Sequence, residues 1–542
     1  MSRFGRGSLL FACTVAVIGM AVAERARSFA QAPEAARKSV VPADDLSPDK
    51  PGHLGMAARI DELLAASWSR EGIEPAPLAG DAEFLRRVSL DLIGVIPTVA
   101  EARQFLADGD PQKRARLVDR LLDSQLHADH LATTWRNMMV PRGGTIDGFD
   151  GQAGLQIWLR AQFLKNVRYD QMVADLLVAT GAAREGPGLF FTAFDLKPEE
   201  LAGNTARVFL GVQIECAQCH DHPFDKWTQQ DFWGYAAFFA RLGRMGDNRP
   251  GRAMQLIDKQ DGEVTLPGTA TVVPPRYPRG ESPAPDEVGS RRMQLGIWMV
   301  SRDNPFLAPA AVNRVWAHLF GRGLVEPVDD LGDHNSASHP QLFVELAAYF
   351  VDTGYDLRQL LRTLASTRAY ALSSTATNDE SFRPNLFARQ PVKALAPEQF
   401  YDSLLRATLA DGNGGDRRGS AAGFDERRQA FVAKMQSQVH SRLDYDAGIA
   451  QVLQLVNGSE VATATEGSAS GLLAALDAPL FNDAERVEIL FLATLARLPD
   501  ETEAARALRH LAEATSANGQ STAALGDILW ALLNGAEFGL NH

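Results

Sequence analysis

The sequence contains little cysteine and, after its first residues, no long apolar run. Its 542 residues include three cysteines, Cys13, Cys216 and Cys219, and the first of these lies in the N-terminal segment considered below. At most one intrachain bridge could form once that segment is removed, so a disulfide framework like that of small secreted domains is excluded. No stretch after residue 30 approaches the ~20 apolar residues that a membrane helix needs. The mature chain is therefore expected to have no membrane span.

An excess of positive charge is also missing. The net charge is −13, which argues against nucleic acid and against anionic membrane surfaces as partners. Hydrophobic residues make up 45% and charged residues 22% of the chain, as in ordinary soluble globular proteins. A chain of this length exceeds what one hydrophobic core usually supports, so more than one domain is expected.

The N-terminus has the features of an export signal. Two arginines precede an apolar run over residues 9–23, and small residues at Ala23 and Ala30 are suitable for cleavage. Residues 1–30 are therefore predicted to be a signal peptide that sends the chain to the periplasm or cell envelope. An uncleaved anchor is the main alternative, and lipidation at Cys13 is disfavoured because the apolar run continues past it. Removing four arginines and one glutamate with this segment changes the net charge from −13 to −16.

The rest of the chain is predicted to be mainly α-helical, in two domains. Residues 31–56, rich in proline, alanine and charge, are interpreted as a disordered leader, with order starting at Met56. Apolar residues then recur with helical spacing over residues 57–240, the N-terminal domain, and again over residues 287–542, the C-terminal domain. Residues 241–286 are rich in Gly, Pro and Arg and contain two short β-like runs. They are interpreted as a connector with a small β-hairpin.

The stretch from Cys216 to Ala240 carries the most specific motif, and it reads CAQCHDHPFDKWTQQDFWGYAAFFA. C-x-x-C-H is the attachment signature of c-type haem: two thiols add to the two vinyl groups of one porphyrin, and the following histidine binds the iron. Covalent attachment of haem takes place outside the cytoplasm, which agrees with an export signal. Cys216 and Cys219 are thus candidate thioether anchors, and His220 is the candidate axial ligand of the iron.

Two other interpretations of this motif remain open. A disulfide between Cys216 and Cys219 explains the cysteines but not His220, and no thioredoxin-like βαβ pattern surrounds them. A zinc or iron site formed by these three residues and His222 would place four ligands in seven residues, closer together than the usual two-pair spacing.

If haem is bound, the sixth ligand of the iron is not defined by the sequence. His222 is too close to His220 to reach the opposite face of the porphyrin. Thioether ligation would raise the reduction potential, whereas an open position would permit small-molecule chemistry. The candidates farther along the chain are Met245, Met254, Met293, Met299, His318, His334 and His339.

An aromatic helix is predicted directly after the motif. Thr228 and Asp231 have the spacing of a capping box. Phe232, Tyr235 and Phe239 then fall on one helical face. Such a face could lie beside a tetrapyrrole, but ordinary core packing is the more common role for aromatic side chains and is the preferred interpretation.

A second polar cluster lies within residues 313–340, which read NRVWAHLFGRGLVEPVDDLGDHNSASHP. Its carboxylates and imidazoles are the groups that a metal or an acid–base site would use. The alternative is structural, with acids capping helices and Arg314 paired to an acid inside a domain interface. The residues in question are Asn313, Arg314, His318, Asp329, Asp330, Asp333, His334 and His339.

These two segments together make the chain recognisable, because it resembles a planctomycete cytochrome-c-like family. In that family an N-terminal domain of unknown function carries CAQCHDHPFDKW and a C-terminal domain of unknown function carries NRVWAHLFGRGLVEPVDD. Other matching segments include FLRRVSLDLIGVIPT (84–98) and GYDLRQLLRTLASTRAY (354–370), so the resemblance extends from about residue 57 to the end. It implies an exported, haem-associated protein that often occurs beside secreted sulfatase-like proteins.

One departure from the family limits the function. Many relatives carry an additional cytochrome domain with its own C-x-x-C-H, whereas residues 31–56 contain no cysteine. One covalent haem is therefore expected, together with electron transfer to a redox partner protein. The alternatives are a non-haem scaffold protein, in which the motif is a disulfide or metal staple, and an extracytoplasmic enzyme that uses the cluster from Asp329 to His339. Whether the chain is an enzyme stays open.

Overall fold

The structure is a computed structural model, and it describes most of the chain after the N-terminal segment. The predicted signal peptide and residues 31–51 of the predicted leader lie outside the described residues. The described residues within 52–300 and 304–542 group into one compact unit, which contains all the elements discussed below. The described ranges are 52–140, 152–183, 185–223, 225–246, 254–280, 282–283, 289–375, 383–409, 426–435, 458–467, 470–518 and 521–542.

The first half of the described chain is built from short helices, as its apolar spacing predicts. The first helix begins at His53, three residues before the start expected at Met56. Pro198 occupies the first turn of its helix, where the missing N–H costs nothing. The helices are α1 (His53–Glu71), α2 (Asp81–Ile93), α3 (Val99–Ala107), α4 (Lys113–Leu122), α5 (Gln125–Met139), α6 (Gln152–Leu164), α7 (Tyr169–Leu177), α8 (Gly188–Thr192), α9 (Pro198–Thr205) and α10 (Gln229–Ala236).

The second half continues in the same way, which confirms a mainly α-helical fold. A π-helical turn, Ala206–Leu210, extends α9, and a turn of 3-10 helix, Pro384–Leu386, precedes α15. The helices are α11 (Arg291–Met299), α12 (Leu307–Phe320), α13 (Pro340–Asp352), α14 (Leu357–Ala365), α15 (Pro397–Thr408), α16 (Glu426–Met435), α17 (Ser459–Thr465), α18 (Gly471–Leu476), α19 (Asp483–Leu495), α20 (Glu501–Asn518) and α21 (Ser521–Asn534). In the described part of the chain, none of these helices is long and apolar enough to cross a membrane.

The strands are short and antiparallel, and they contain far fewer residues than the helices. They are β1 (Gly181–Ala182), β2 (Leu242–Met245), β3 (Gln255–Asp258), β4 (Val264–Thr265), β5 (Val272–Val273), β6 (Lys393–Ala394) and β7 (Leu540–Asn541). The predicted hairpin in the connector is confirmed, since β4 pairs with β5. A three-stranded sheet in the order β1-β3-β2 was not predicted, because its first strand lies far ahead of the other two in the sequence. A further pair joins β6 to β7.

A group of fully buried charges and polar groups, which we call the buried hub, connects α2 to β6 and β7. It consists of Asp91, Tyr370, Lys393 and Asn541. One carboxylate oxygen of Asp91 accepts hydrogen bonds from Lys393 Nζ and Asn541 Nδ2, both at 2.7 Å. The other oxygen accepts from the Tyr370 hydroxyl at 2.9 Å. Because both of its oxygens have donors, the charge of Asp91 is satisfied inside the core, while the side-chain oxygen of Asn541 is buried without a partner.

Two buried arginines of α2 fix neighbouring segments through backbone oxygens. Arg86 donates to the carbonyl of Thr494 at 2.9 Å and to that of Phe538 at 2.8 Å. Arg87 donates to the carbonyls of Tyr370 and Leu372, both at 2.8 Å. The polar residues in the segment FLRRVSLDL therefore hold the helices together from within the core.

Candidate functional site

The two cysteines of the motif lie on a short turn of 3-10 helix. Glu215–Gln218 forms this turn, and Cys219 follows it directly. Side chains three residues apart in a 3-10 turn lie above one another, so Cys216 and Cys219 are presented on the same side. Both cysteines are exposed and both are free thiols. We call residues 215–223 and 225–228 the Cys loop.

His220 is exposed beside the two thiols, in a form suited to bind a metal. Its Nδ1 lies 2.7 Å from the backbone oxygen of Asp221. A carbonyl oxygen can only accept a hydrogen bond, so Nδ1 carries the proton and Nε2 presents its lone pair. Metal-binding histidines usually donate their other N–H in this way. The thiols and this imidazole therefore fit the haem that the motif implies, and they would hold it at the outer surface of the loop.

The Cys loop is fixed to the start of α10 by side-chain hydrogen bonds to its backbone. Gln229 Nε2 donates to the carbonyl of Cys219 at 3.0 Å and to that of Gln218 at 3.2 Å. Trp233 Nε1 donates to the same Gln218 carbonyl at 3.0 Å. These three bonds hold the C-terminal end of the cysteine turn in place, although the cysteine side chains themselves face solvent.

The helix behind the loop is ordinary core, as preferred from the sequence. The predicted capping box of Thr228 and Asp231 is present in both directions. Phe232, Tyr235 and Phe239 are fully buried within the main hydrophobic core. Their burial places them in the protein interior, away from the exposed thiols on the loop surface.

His222 is held in a way that does not suit a metal ligand. The backbone N–H of Asp225 donates to His222 Nδ1 at 2.9 Å. A neutral imidazole that accepts at Nδ1 carries its proton on Nε2, so neither nitrogen has a lone pair available to a metal. Within the described ranges, no group of three or more His, Cys, Asp or Glu side chains could hold a metal ion. The geometry thus lends no support to a zinc site that includes His222.

Part of the second polar cluster lies directly against the Cys loop. The rings of His222 and His334 stack with their centroids 6.4 Å apart. His334 Nε2 lies 3.1 Å from a carboxylate oxygen of Asp330, and its Nδ1 lies 3.6 Å from one of Asp225. The side chain of Asp225 is only 3% exposed. Two segments that the sequence presents separately therefore meet at one place in the fold.

Arg279, which lies in the connector, also contacts both the Cys loop and the segment that contains Asp333. Its guanidinium donates to Asp225 at 3.1 Å and to Asp333 at 2.7 Å, and it lies over the ring of Trp227 at 4.9 Å from the centroid. Lys226 also pairs with Asp333, at 3.0 Å. The hydrogen bonds from Arg279 and Lys226 hold the pKa of Asp333 below its usual value. We call Asp225, Lys226, Arg279, Asp330, Asp333 and His334 the Asp225 cluster.

Gly332 is the residue that permits this close approach. A Cβ atom at this position would lie 2.5 Å from the carboxylate of Asp225 and 2.5 Å from the ring of His334. Both distances are below any real Cβ contact, so a side chain here would push the two loops apart. The glycine in the segment LGDH is thus explained by packing between loops.

Asp329 is tied to the end of α9 and its π-helical extension. It accepts a hydrogen bond from Gln213 Nε2 at 3.0 Å and lies 3.5 Å from Arg207 Nη1. Arg314 lies 3.9 Å from it and donates to the backbone carbonyls of Arg207 and Val208. Burial lowers the pKa of Arg314. These two predicted site residues therefore lie close enough to form an ion pair between two segments, which is the kind of contact that the structural alternative describes.

Three other residues of the predicted cluster have structural contacts elsewhere. Asn313 is fully buried and forms hydrogen bonds with the backbone of Val325 in both directions. His318 Nε2 lies 2.8 Å from the carbonyl of Asp91, next to the buried hub. His339 is buried against the ring of Phe387, and burial, together with the charge of Arg70, lowers its pKa to about 4. The cluster expected from Asp329 to His339 is thus divided between the Cys loop and the core.

The candidates for a sixth iron ligand have contrasting environments. Met299 is fully buried in the core, whereas Met245 and Met293 are exposed. Met254 packs against the edge of the core. Of the candidate histidines, His334 contacts the Cys loop, but its two nitrogens already face carboxylates. No sixth ligand is therefore assigned.

Four residues of the site were not singled out from the sequence. Asp225 and Lys226 lie in the segment DHPFDKW. Two charged residues so soon after the C-x-x-C-H motif were a signal from which they could have been predicted as site residues. Arg207 precedes the motif in a helical segment and looks like a surface residue in the sequence. Arg279 lies in the connector, where arginine is common, so nothing in its sequence context distinguishes it.

Comparison with known proteins identifies domains but no activity. Residues 59–244 match PSCyt2, described as a protein of unknown function (DUF1549), and residues 291–422 match PSD1, described as a protein of unknown function (DUF1553). These two matches support the two-domain family in which these planctomycete-type domains are paired. No curated protein and no solved structure matches the chain.

Proposed function

We propose that the chain is an exported carrier of single electrons that binds one c-type haem at the Cys loop. Cys216 and Cys219 would form the two thioether bonds, and His220 would bind the iron through Nε2. The observation that carries the proposal is the joint exposure of two free thiols beside a histidine whose Nδ1 donates to a backbone carbonyl. When bound, a c-type haem supplies an iron that accepts and releases one electron.

The chain's own residues have three tasks in this proposal. The hydrogen bonds from Gln229 and Trp233 fix the backbone on which the cysteines lie. The contact with Asp221 fixes the tautomer of His220. Exposure of the loop leaves its edge open to a redox partner protein, for which a neighbour among secreted proteins, such as a sulfatase-like protein, is one candidate.

The proposal is tested by export of the full chain in a host that has the cytochrome c maturation machinery. The expected product has a Soret band, and its haem stays with the chain after denaturation and gives a pyridine haemochrome spectrum. Cys216→Ser combined with Cys219→Ser should abolish covalent attachment. His220→Ala should change the visible spectrum, because the iron loses an axial ligand. The matched control is His222→Ala, which should keep the haem and its spectrum.

A colourless protein that is correctly exported and folded would overturn the haem proposal. Mass spectrometry of that protein distinguishes the remaining interpretations of the motif. A loss of two hydrogens would indicate a disulfide between Cys216 and Cys219, and bound zinc would indicate a metal staple. In either case, Cys216→Ser should lower the stability of the chain.

A further inference from the structure

A groove with mostly apolar walls lies beside the Asp225 cluster. Its volume is about 380 Å³, within the usual range of small-molecule sites. The aromatic and aliphatic groups that line it come from the connector, from the helices α11, α12 and α13, and from the loops before α12 and before α13. One charged residue, Arg279, also lines it. The lining residues used below are Arg279, Trp298, Pro305, Phe306, Leu331 and Phe343.

The groove lies at one end of a stack of aromatic rings. Phe238 stacks on Tyr277 with centroids 5.0 Å apart, and Tyr277 stacks on Trp298 at 5.2 Å with only 12° between the planes. Phe306 lies tilted against Trp298 at 6.1 Å. Trp298 is partly exposed and lines the groove. Because aromatic rings gain free energy from offset stacking, another flat ring can continue this stack into the groove.

Arg279 supplies the polar contact at this groove. A guanidinium has five N–H donors, and two of them are used by Asp225 and Asp333. The others can donate to an oxygen of a bound molecule. Three carboxylates of the Asp225 cluster stand against two cations, Arg279 and Lys226, so the local charge is negative when His334 is neutral. Negative local charge disfavours an anionic molecule and favours a neutral one that offers a hydrogen-bond acceptor.

We propose that this groove binds a small, neutral, planar, conjugated cyclic carbonyl compound, with the chemistry of a quinone. Its ring lies against Trp298 and the apolar walls, and one carbonyl oxygen accepts a hydrogen bond from Arg279. The proposal concerns binding only, and it does not depend on haem at the Cys loop. Failure of one proposal therefore leaves the other unaffected.

A second hollow provides the matched control. It measures about 490 Å³ and is lined by charged side chains that include Arg241, Asp258 and Lys259. The exposed residue Pro274 lines this second hollow, just as the exposed residue Pro305 lines the first groove. The substitution of either proline by tryptophan fills one hollow and leaves the other open.

The experiment is equilibrium dialysis of the full mature chain against duroquinone (tetramethyl-1,4-benzoquinone). Its four methyl groups occupy the ring positions at which the thiols of Cys216 and Cys219 would otherwise add. We expect saturable binding of one molecule per chain. Pro305→Trp should weaken it at least tenfold, and Pro274→Trp should leave it unchanged. Benzoate, which is planar and anionic, should bind at least tenfold more weakly than duroquinone.

Arg279→Met provides a second variant that removes the N–H donors without filling the groove, and it should also weaken binding of duroquinone. If circular dichroism shows that the Pro305→Trp variant has not folded, the variant at Arg279 tests the proposal instead. The proposal is overturned by the absence of saturable binding to the folded chain. It is equally overturned by binding that survives both Pro305→Trp and Arg279→Met, or by benzoate that binds as tightly as duroquinone.

Discussion

The buried hub and the Asp225 cluster both bring together charged side chains from distant parts of the sequence, but they differ in their access to water. In the hub, the side chains of Asp91 and Lys393 are at most 2% exposed, and every oxygen of the carboxylate has a donor. In the Asp225 cluster, only Asp225 comes close to this burial, at 3% exposed, while Lys226 is 81% exposed. Water can therefore replace many of the partners in the cluster but none of those in the hub.

This difference indicates which of the two regions can serve in function. Removing one partner from a buried pair leaves a charge in a medium of low dielectric constant, so the hub tolerates little change. Exposed pairs contribute little to stability because solvent and salt screen them. The Asp225 cluster borders the C-x-x-C-H motif and the groove lined by Trp298, and most of its ion pairs are partly exposed.

Breaking the hub should produce the largest effect. Lys393→Met removes the cation and leaves Asp91 buried and unpaired, so we expect the free energy of unfolding to fall by about 3 to 5 kcal/mol. Urea unfolding followed by circular dichroism measures this change.

The double variant Asp91→Asn with Lys393→Met is the control, because it removes both charges. It should be more stable than Lys393→Met alone. A loss of less than about 1 kcal/mol in the single variant, within the range of exposed pairs, would contradict the contrast between hub and cluster.

Acid should destabilise the region around the hub by a smaller amount. His127 is buried, its Nδ1 lies 2.7 Å from the carbonyl of Leu92, and burial lowers its pKa from 6.5 to about 4. Between these values the unfolded chain binds a proton that the folded chain does not, so stability is lost as the pH falls from 6.5 towards 4. We expect a contribution of about 2 kcal/mol between pH 7 and pH 5.

The pH dependence of urea unfolding in the wild type and in His127→Gln measures this contribution. The variant lacks the titrating group, so its stability should fall less over the same pH interval. Equal losses in the two proteins would show that His127 does not stay neutral in the folded chain.

The Asp225 cluster should show the smallest effect on global stability. Asp225→Asn keeps the shape of the side chain but removes its charge next to Arg279 and His334, so we expect a loss of about 1 kcal/mol. The change should be concentrated in the Cys loop, where amide hydrogen exchange of residues 216–228 should become faster.

Lys226→Ala is the matched control in the same cluster, because it removes an exposed ion pair. It should change stability by less than about 0.5 kcal/mol and leave hydrogen exchange of the loop unchanged. If this control loosened the loop as much as Asp225→Asn, burial of Asp225 would not be the reason for its effect.

Much of the fold is predictable because its signals are local. The helices follow from the spacing of apolar residues, and a helix start follows from a cap such as Thr228, which forms the expected capping box with Asp231. The connector hairpin follows from two β-like runs close together in the sequence. The strand β1 could not be found in this way, because Gly181–Ala182 is too short to carry a pattern and depends on its partner β3.

The candidate site likewise has one part that the sequence predicts and another that it does not. The sequence by itself identified Cys216, Cys219 and His220 as a C-x-x-C-H pattern, whose spacing predicts haem attachment. It also determined the helical framework, because periodicity records which face of a helix is apolar. Only the tertiary structure decided that His334 and Asp330 lie against the loop of these cysteines while His318 and His339 lie in the core. The physical reason is that contacts between distant segments depend on how helices pack, and a glycine such as Gly332 shows its role only when the neighbouring loop is in place.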